Sequence, residues 1–212
     1  MTFHVVTLFP ESFESYINSS IIGRAIREKK IKVKFYNPRD FATNKWKRVD
    51  QRPYGGGPGM VLEPESILKA VGKALGKKKG VVYFFDRSGK QFTNTDARTL
   101  ASKEKDIVFI CGHYEGVDAR VQKILKAQKI SVGPYTLTGG ELPALLVIDA
   151  VSRQIKGVLG KFESIEEERV SSSEVYTRPE VFLWKGKKYR VPKVLLSGNH
   201  AKIDAWKERK KR

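Results

Sequence analysis

The sequence predicts an α/β protein with a mostly parallel sheet, and two observations lead to this class. Apolar segments of strand length alternate with helical segments along residues 5–155. Glycine-rich loops directly follow the ends of several predicted strands. Because ligands of such sheets bind beyond the carboxyl ends of the strands, the same pattern predicts a ligand site at that edge.

The N-terminal segments predict two strands and a functional loop. Residues 5–8 form a first strand, and a helical stretch follows over residues 10–27. Residues 31–35 alternate apolar side chains with lysine, which is typical of a half-buried strand. Residues 37–59 contain three prolines and four glycines and predict a long loop. Loops of this length in compact domains are usually functional.

The following segments continue the alternation of helices and strands. Thr93 and Asp96 have the spacing of a capping box, which predicts a helix beginning there. The predicted elements are a helix after residue 64, a strand at 81–85, the capped helix, a strand at 106–111, a helix to about residue 126, a strand at 130–132 and an unusually apolar helix at 141–155.

Composition divides the chain into three parts. Residues 1–156 contain the α/β pattern and predict one domain. Residues 157–175 are polar and rich in serine and glutamate, which predicts a mobile linker. Residues 176–212 predict a short second unit that closes with a basic helix.

The single cysteine, Cys111, and the apolar stretches limit the cellular setting. One cysteine in 212 residues excludes a disulfide framework and predicts a reducing, cytoplasmic environment. The N-terminus lacks the pattern of a signal peptide. No apolar stretch approaches the roughly 20 residues of a membrane span, so we expect no membrane association.

The formal net charge is +18, from 41 basic and 23 acidic residues. Such an excess predicts a polyanionic partner, most often a nucleic acid. A solvated lysine-rich surface is the alternative, and it suits the basic runs at residues 77–79 and 207–212. A nucleic-acid partner is favoured because Lys45, Lys47 and Arg52 lie beside a glycine-rich loop.

Three glycine-rich segments, residues 52–59, 111–116 and 135–141, each combine glycines with a tyrosine. Glycine allows a backbone to approach a ligand closely. None of the three matches a phosphate-binding glycine motif. The segments therefore predict recognition of a small molecule by backbone groups.

In this order, the motifs resemble the bacterial tRNA (guanine-N1)-methyltransferase family, the TrmD type. The resemblance implies a SPOUT-type α/β domain with a trefoil knot in its C-terminal part, followed by a short, truncated C-terminal helical unit. It also implies a homodimer with shared active sites, and S-adenosylmethionine as donor of a methyl group to guanine N1 at tRNA nucleotide 37. The strings that carry it are residues 8–10, 20–25, 38–41, 52–60, 111–118, 135–144, 149–153, 176–181 and 195–200.

The resemblance implies a set of cofactor-binding residues at three strand ends. In the first loop the chain departs from the family, with Asp86-Arg87-Ser88-Gly89 where serine and proline are frequent. A bulky side chain at Gly140 is expected to block the cofactor and leave the fold largely intact. The implied set is Tyr83, Gly112, Tyr114, Gly116, Val132, Gly133, Tyr135, Leu137, Gly139 and Gly140.

Three residues are implied for catalysis. Methylation requires loss of the guanine N1 proton, and counting forward from Gly160 places Glu168 where the family has an aspartate base. Glu166 and Glu167 are alternatives for the base. Arg153 is expected to stabilise charge on guanine, with Asp149 four residues earlier as its partner. Glu115 is expected to orient substrate or cofactor, and His113 to serve as a positioning or surface residue.

The remaining expectations concern RNA and metal. The C-terminal unit is shorter than in the family, so two alternatives stay open: a methyltransferase acting on another RNA, or a non-catalytic RNA-binding protein of the same fold. DNA is not an expected partner. Magnesium dependence belongs to the family, although the sequence shows no compact metal-ligand cluster. The implied RNA-binding residues are Arg24, Arg52, Tyr54, Ser197, Asn199 and His200.

Overall fold

The computed structural model describes residues 1–159 and 173–210. The chain divides into two compact units, Met1–Leu159 and Gly160–Arg212. Most of the predicted linker, residues 160–172, lies outside the described residues. In the described part of the chain, every helix falls short of the length and apolarity that a membrane crossing requires.

The first unit is built on a five-stranded sheet in which every pairing is parallel. All five predicted strands are present, and their order across the sheet is β2-β1-β6-β5-β7. The mostly parallel α/β prediction is therefore confirmed. The strands are β1 (Thr2–Val6), β2 (Lys32–Tyr36), β5 (Val81–Gln91), β6 (Asp106–Ile110) and β7 (Gln128–Ser131). Two short strands, β3 (Asp50–Gln51) and β4 (Val61–Leu62), pair antiparallel outside this sheet.

Helices connect the strands at the predicted places, with one correction. The stretch expected to be one helix at residues 10–27 is broken, because Ser20 has a positive φ of 49°. A 3₁₀ helix (Pro10–Phe13) precedes α1 and α2 there. The helices are α1 (Glu14–Ile17), α2 (Ser20–Arg27), α3 (Pro64–Leu75), α4 (Asn94–Lys103), α5 (Ala119–Leu125) and α6 (Glu141–Arg153).

The capping box of α4 is confirmed in full. The Thr93 side chain accepts from the Asp96 backbone N–H over 3.3 Å, and the Asp96 carboxylate accepts from the Thr93 N–H over 3.0 Å. These bonds satisfy donors that the first helical turn leaves unpaired.

The core has two layers because alternate strand residues face opposite sides of the sheet. One layer packs the sheet against α2, α4 and α6, and the other packs it against α3 and α5. Within β6, Ile107 and Phe109 belong to the first layer, while Val108 and Ile110 belong to the second. The sheet is therefore covered by helices on both faces, as a parallel sheet requires.

The second unit corrects the expectation of a purely helical C-terminus. Its described residues include an antiparallel hairpin of β8 (Val181–Trp184) and β9 (Lys187–Arg190). Helices α7 (Lys193–Leu196) and α8 (His200–Arg209) follow, and α8 is the predicted basic helix. The hairpin turn is Lys185-Gly186, and both residues have positive φ, as a type I′ turn requires.

Candidate active site

A cavity of about 320 Å³ lies at the carboxyl ends of β5, β6 and β7. This is the edge of the sheet at which the sequence predicts a ligand site. Segments 84–87, 112–119 and 129–140 supply most of its lining. The predicted cofactor-binding residues that line it are Gly112, Tyr114, Gly116, Val132, Gly133, Tyr135, Leu137, Gly139 and Gly140.

Of the predicted cofactor-binding residues, Tyr83 does not line the cavity. Its side chain is buried in the core, with its ring centroid 6.4 Å from that of Phe109. Burial raises the pKa of its hydroxyl. Because side chains alternate along β5, the neighbouring Phe84 lines the cavity instead. The contact expected from Tyr83 is corrected accordingly.

The two glycine loops that form the cavity touch each other through backbone. The Gly140 N–H donates to the Gly112 carbonyl oxygen over 3.0 Å. A Cβ at Gly140 would lie 2.5 Å from the Cα of Cys111, which is too close for any side chain. The expectation that a bulky residue at Gly140 leaves the fold largely intact is contradicted by this geometry, because the backbone at Cys111 would have to shift. Cys111 itself is buried, and burial raises the pKa of its thiol.

The loop after β6 is pinned by backbone hydrogen bonds to the segment around β4. The Glu115 N–H donates to the Met60 carbonyl over 3.1 Å, and the Leu62 N–H donates to the Gly116 carbonyl over 3.0 Å. Tyr114 and Gly116 have positive φ values of 57° and 115°. These contacts place Gly59, the last residue of the glycine-rich segment that β3 and β4 flank, beside Glu115.

Glu115 lines the cavity with a carboxylate that has no hydrogen bond or ion pair within the described part of the chain. Gly59 makes room for it: a Cβ at Gly59 would lie 2.5 Å from Glu115 Oε1. Gly59 also has a φ of 82°, which glycine adopts without strain. The site therefore offers one free negatively charged acceptor.

Asp86, also in the lining, already has partners. Lys129 Nζ lies 2.7 Å from Asp86 Oδ2, and the Ser88 N–H and hydroxyl both donate to Oδ1 over 2.8 Å. The bond from Lys129 and those from Ser88 lower the pKa of Asp86 to about 2. Asp86 is therefore a fixed anion that orders the wall, and it is a poor candidate for accepting a proton.

Tyr135 closes the loop after β7 onto itself. Its hydroxyl donates to the Val132 carbonyl over 3.0 Å, and its ring occupies the place where a Cβ of Gly133 would lie. The Ser131 hydroxyl donates to the Gly133 carbonyl over 3.0 Å. The half-exposed ring of Tyr135 therefore has a fixed position on the cavity wall.

Comparison with known proteins decides the family. The family described as tRNA (Guanine-1)-methyltransferase TrmD matches the chain over residues 1–212. The chain belongs to the TrmD family. A relative from Caldanaerobacter subterraneus subsp. tengcongensis, named tRNA (guanine-N(1)-)-methyltransferase, is 48% identical over 99% of this chain and 86% of its own length.

Two further relatives of the same name agree with this assignment. The protein from Clostridioides difficile is 45% identical over 98% of this chain and 90% of its own length. The protein from Buchnera aphidicola is 44% identical over 97% of this chain and 87% of its own length. The resemblance inferred from the motifs is therefore confirmed.

Arg153, a residue implied by the TrmD resemblance, lies at the end of α6 and outside the cavity lining. The predicted ion pair with Asp149 is not formed. The Tyr16 hydroxyl instead donates to Asp149 Oδ2 over 2.6 Å, and this bond raises the pKa of Tyr16 to about 12. In residues 1–159 and 173–210 we find no ion-pair partner for Arg153.

The predicted base, Glu168, lies outside the described residues, as do its alternatives Glu166 and Glu167. In the described part of the chain, no group of three or more His, Cys, Asp or Glu residues could hold a metal ion.

The predicted RNA-binding residues occupy both units. In the first, the Arg24 guanidinium donates to the Val158 carbonyl over 2.9 Å, whereas Arg52 and Tyr54 are exposed. In the second, the Asn199 side chain caps α8 by accepting from the Lys202 N–H over 3.1 Å. The Ser197 hydroxyl accepts from the Asn199 N–H over 3.2 Å, and His200 is the first residue of α8.

Sequence reasoning missed several residues of the cavity wall. Lys129 and Ser131 gave no signal, because single polar residues in a short strand are common. His113 was expected as a positioning or surface residue, and it packs between Phe9 and Tyr114, with ring centroids 4.9 and 4.7 Å away. Its Nδ1 is buried without a partner among the described residues. The buried position of His113 depends on the contact between the two glycine loops, which the sequence does not show.

Proposed function

We propose that this TrmD-family methyltransferase uses S-adenosylmethionine to methylate guanine N1 at nucleotide 37 of tRNA. Membership of the family supports the reaction class. One observation carries the assignment of the site: glycine loops that are far apart in sequence meet in one cavity at the carboxyl edge of the sheet.

The cavity suits a ligand without phosphates. Its wall combines backbone of Gly112, Val132 and Gly140 with few cationic side chains, and α6 begins there with Glu141 rather than with a phosphate-binding loop. A Cβ at Gly112 would make an ordinary van der Waals contact with its nearest neighbour at 3.8 Å, so this part of the wall tolerates a Cβ. When bound, S-adenosylmethionine supplies an electrophilic methyl group on a positively charged sulfur.

Glu115 and Arg153 receive distinct roles in the proposal. The unpaired carboxylate of Glu115 accepts from the N–H edge of guanine or faces the positive charge of the cofactor. Arg153, without an ion-pair partner in the described residues, stabilises the negative charge that develops as guanine N1 loses its proton. Glu168 remains the proposed base that takes this proton.

A homodimer is part of the proposal because α6 carries an exposed apolar stripe. Leu142 and Leu146, one turn apart, are 62% and 42% exposed on a helix whose other side is buried in the core. Tyr16 and Ile21 are exposed apolar side chains of the same unit. Arg153 lies on the same side of α6 as these two leucines, because it follows Leu146 by 7 residues and Leu142 by 11 residues. A second subunit covering this stripe would receive Arg153 in its own cavity.

Three further features complete the proposal. The trefoil knot implied by the resemblance is supported by the return of the loop after β7 to the loop after β6. A cytoplasmic setting is supported by the tRNA substrate. Magnesium dependence is retained from the family and is tested by adding a chelator to the transfer assay.

The deciding experiment is transfer of labelled methyl from S-adenosylmethionine to tRNA, followed by mapping of the modified nucleotide. We expect label at N1 of guanine 37, and none on a transcript carrying adenine there. Label at another position would indicate a different RNA target. Binding of cofactor and tRNA without any transfer would indicate a non-catalytic RNA-binding protein.

A further inference from the structure

The hairpin of the second unit gathers three aromatic rings on one face. Phe182 pairs with Tyr189 across the two strands, so their side chains share a face. Trp184 lies two residues after Phe182 and projects on the same side. We call Phe182, Trp184 and Tyr189 the aromatic face. Together they line an apolar concavity.

The rings of the aromatic face are oriented for stacking and remain uncovered. The centroids of Phe182 and Trp184 are 6.3 Å apart with an interplanar angle of 14°. Phe182, Trp184 and Tyr189 are 54%, 57% and 53% exposed. Contacts within the hairpin therefore use only part of each ring, and large contiguous exposed apolar surfaces mark interaction sites.

The basic residues around the aromatic face indicate which class of partner it binds. Residues 181–190 contain no carboxylate and four basic residues: Lys185, Lys187, Lys188 and Arg190. Basic side chains that flank exposed rings match a chain with phosphates on one side and flat bases on the other. A nucleic-acid chain, with one negative charge per phosphate, would compensate these four charges.

We propose that the aromatic face is a stacking platform for unpaired nucleobases of the RNA substrate, with the hairpin cations facing its phosphates. This inference rests on the proposed function, which makes tRNA the substrate, and it specifies the part of the RNA that the second unit holds. Bases in a duplex stack on each other, so only an unpaired segment offers free base faces to the rings.

The first test compares Trp184→Thr with Leu183→Thr in the full-length protein. Leu183 pairs with Lys188 on the opposite face and is 61% exposed, which makes it a matched control. The probes are an RNA stem–loop with an unpaired loop and a fully paired RNA of the same length. We expect Trp184→Thr to weaken stem–loop binding roughly 5- to 150-fold, the value of one stacked base. Leu183→Thr should change it by no more than about twofold.

Stacking is identified by comparing the affinities of the variants for the stem–loop and for the paired RNA. Trp184→Phe keeps a ring and should retain most of the affinity, and the paired RNA should bind Trp184→Thr and wild type alike. Equal stem–loop affinity for Trp184→Thr and Leu183→Thr overturns the platform. So does an equal loss of affinity for both RNAs, because that result indicates charge without stacking.

A second test observes the ring itself. In a Trp46→Phe/Trp206→Phe background, Trp184 is the sole tryptophan. Single-stranded oligoadenylate should quench its fluorescence, as stacking brings a base onto the indole. Absence of quenching at saturating oligonucleotide overturns the proposal, and this test needs no hairpin variant to fold.

Methyl transfer and light scattering separate base stacking from catalysis and from contact between subunits. If wild type fails to methylate tRNA while quenching and the Trp184 effect persist, the proposed function fails and the platform stands. If methyl transfer proceeds while Trp184→Thr binds the stem–loop normally, only the platform fails. A shift of Trp184→Thr from dimer to monomer in light scattering, with unchanged affinity for the stem–loop, assigns the face to a second copy and overturns the inference.

Discussion

Gly140 donates its backbone N–H to the carbonyl oxygen of Gly112 over 3.0 Å, and this bond joins the loops that follow β6 and β7. Both residues are glycine, but for different reasons. Gly140 has no space for a Cβ beside Cys111, whereas a Cβ at Gly112 would make only ordinary contacts, the nearest at 3.8 Å from Val117 Cγ2. Substitutions at the two positions should therefore separate folding from ligand binding.

We predict that Gly140→Ala lowers the free energy of unfolding by about 1–3 kcal/mol, the usual cost of overpacking. Gly112→Leu should leave stability nearly unchanged, because its side chain extends into the cavity, and should weaken S-adenosylmethionine binding by at least about tenfold. Denaturant unfolding and calorimetry measure the two effects. Wild-type cofactor affinity in Gly112→Leu would show that the ligand lies elsewhere.

Arg153 should act on the cavity of the partner subunit. Arg153→Ala and Gly112→Leu should each be inactive as homodimers. In a mixed dimer, the intact cavity of one subunit would receive the intact arginine of the other, so an equal mixture should recover about a quarter of wild-type transfer. Single-turnover assays after mixing and subunit exchange measure this recovery.

A lack of recovery in mixed dimers would place Arg153 in the cavity of its own chain. Leu146→Glu serves as the control for assembly, because a charge in the apolar stripe of α6 should produce a monomer in light scattering. A monomeric variant with full activity would contradict the shared site.

Glu168→Gln should slow the methyl-transfer step by roughly 10²–10⁴-fold, the usual contribution of a general base. The amide keeps the size and hydrogen bonding of the carboxylate but not its basicity, so binding of tRNA and cofactor should change little. Single-turnover rates measure the effect, and Glu167→Gln is the control. A normal rate in Glu168→Gln beside a collapse in Glu167→Gln would move the base by one residue.

The Asp86–Lys129 pair should make stability depend on acid pH. The folded-state pKa of Asp86 is about 2, below its ordinary value of 3.8, so the unfolded state binds the proton more readily. The stabilisation is present above pH 3.8 and is lost as pH falls towards 2. Lys129→Met should flatten this part of the stability curve, measured by urea unfolding between pH 2 and pH 5. An unchanged slope would show that the pair contributes nothing.

RNA affinity should depend steeply on salt because the chain carries a formal charge of +18. If 6–10 phosphates are contacted, affinity should fall by roughly 10³–10⁵ between 50 and 200 mM salt. Filter binding of tRNA across this range measures the slope. A flat dependence would exclude an interface dominated by phosphate contacts.

The sheet was predictable because its strands are short apolar runs bounded by helices and loops. β6 is buried along its whole length, and after Asp106 it is a continuous apolar segment, as is typical of central parallel strands. The hairpin β8–β9 was not predicted, since three of the four residues of β9 are basic and also suit a solvated coil. The break at Ser20 has no sequence signal beyond two serines.

The part of the site that consists of short local motifs was predictable from the sequence. Nine of the ten cofactor residues implied by the family resemblance line one cavity, but Tyr83 required knowledge of which side chains of β5 face the core. The partner of Asp149 could not be inferred from spacing, because Tyr16 is 133 positions away in the chain. Contacts between distant segments depend on the tertiary fold.

The burial of Cys111 has a practical consequence for labelling experiments. Its thiol is the only one in the chain, and its accessible surface is close to zero. Because burial keeps it protonated, it should resist maleimide reagents and oxidants under native conditions. A cysteine introduced at an exposed position, such as Lys187→Cys on the hairpin, would then be the single reactive group. The protein can carry one fluorophore or spin label without first removing a native cysteine.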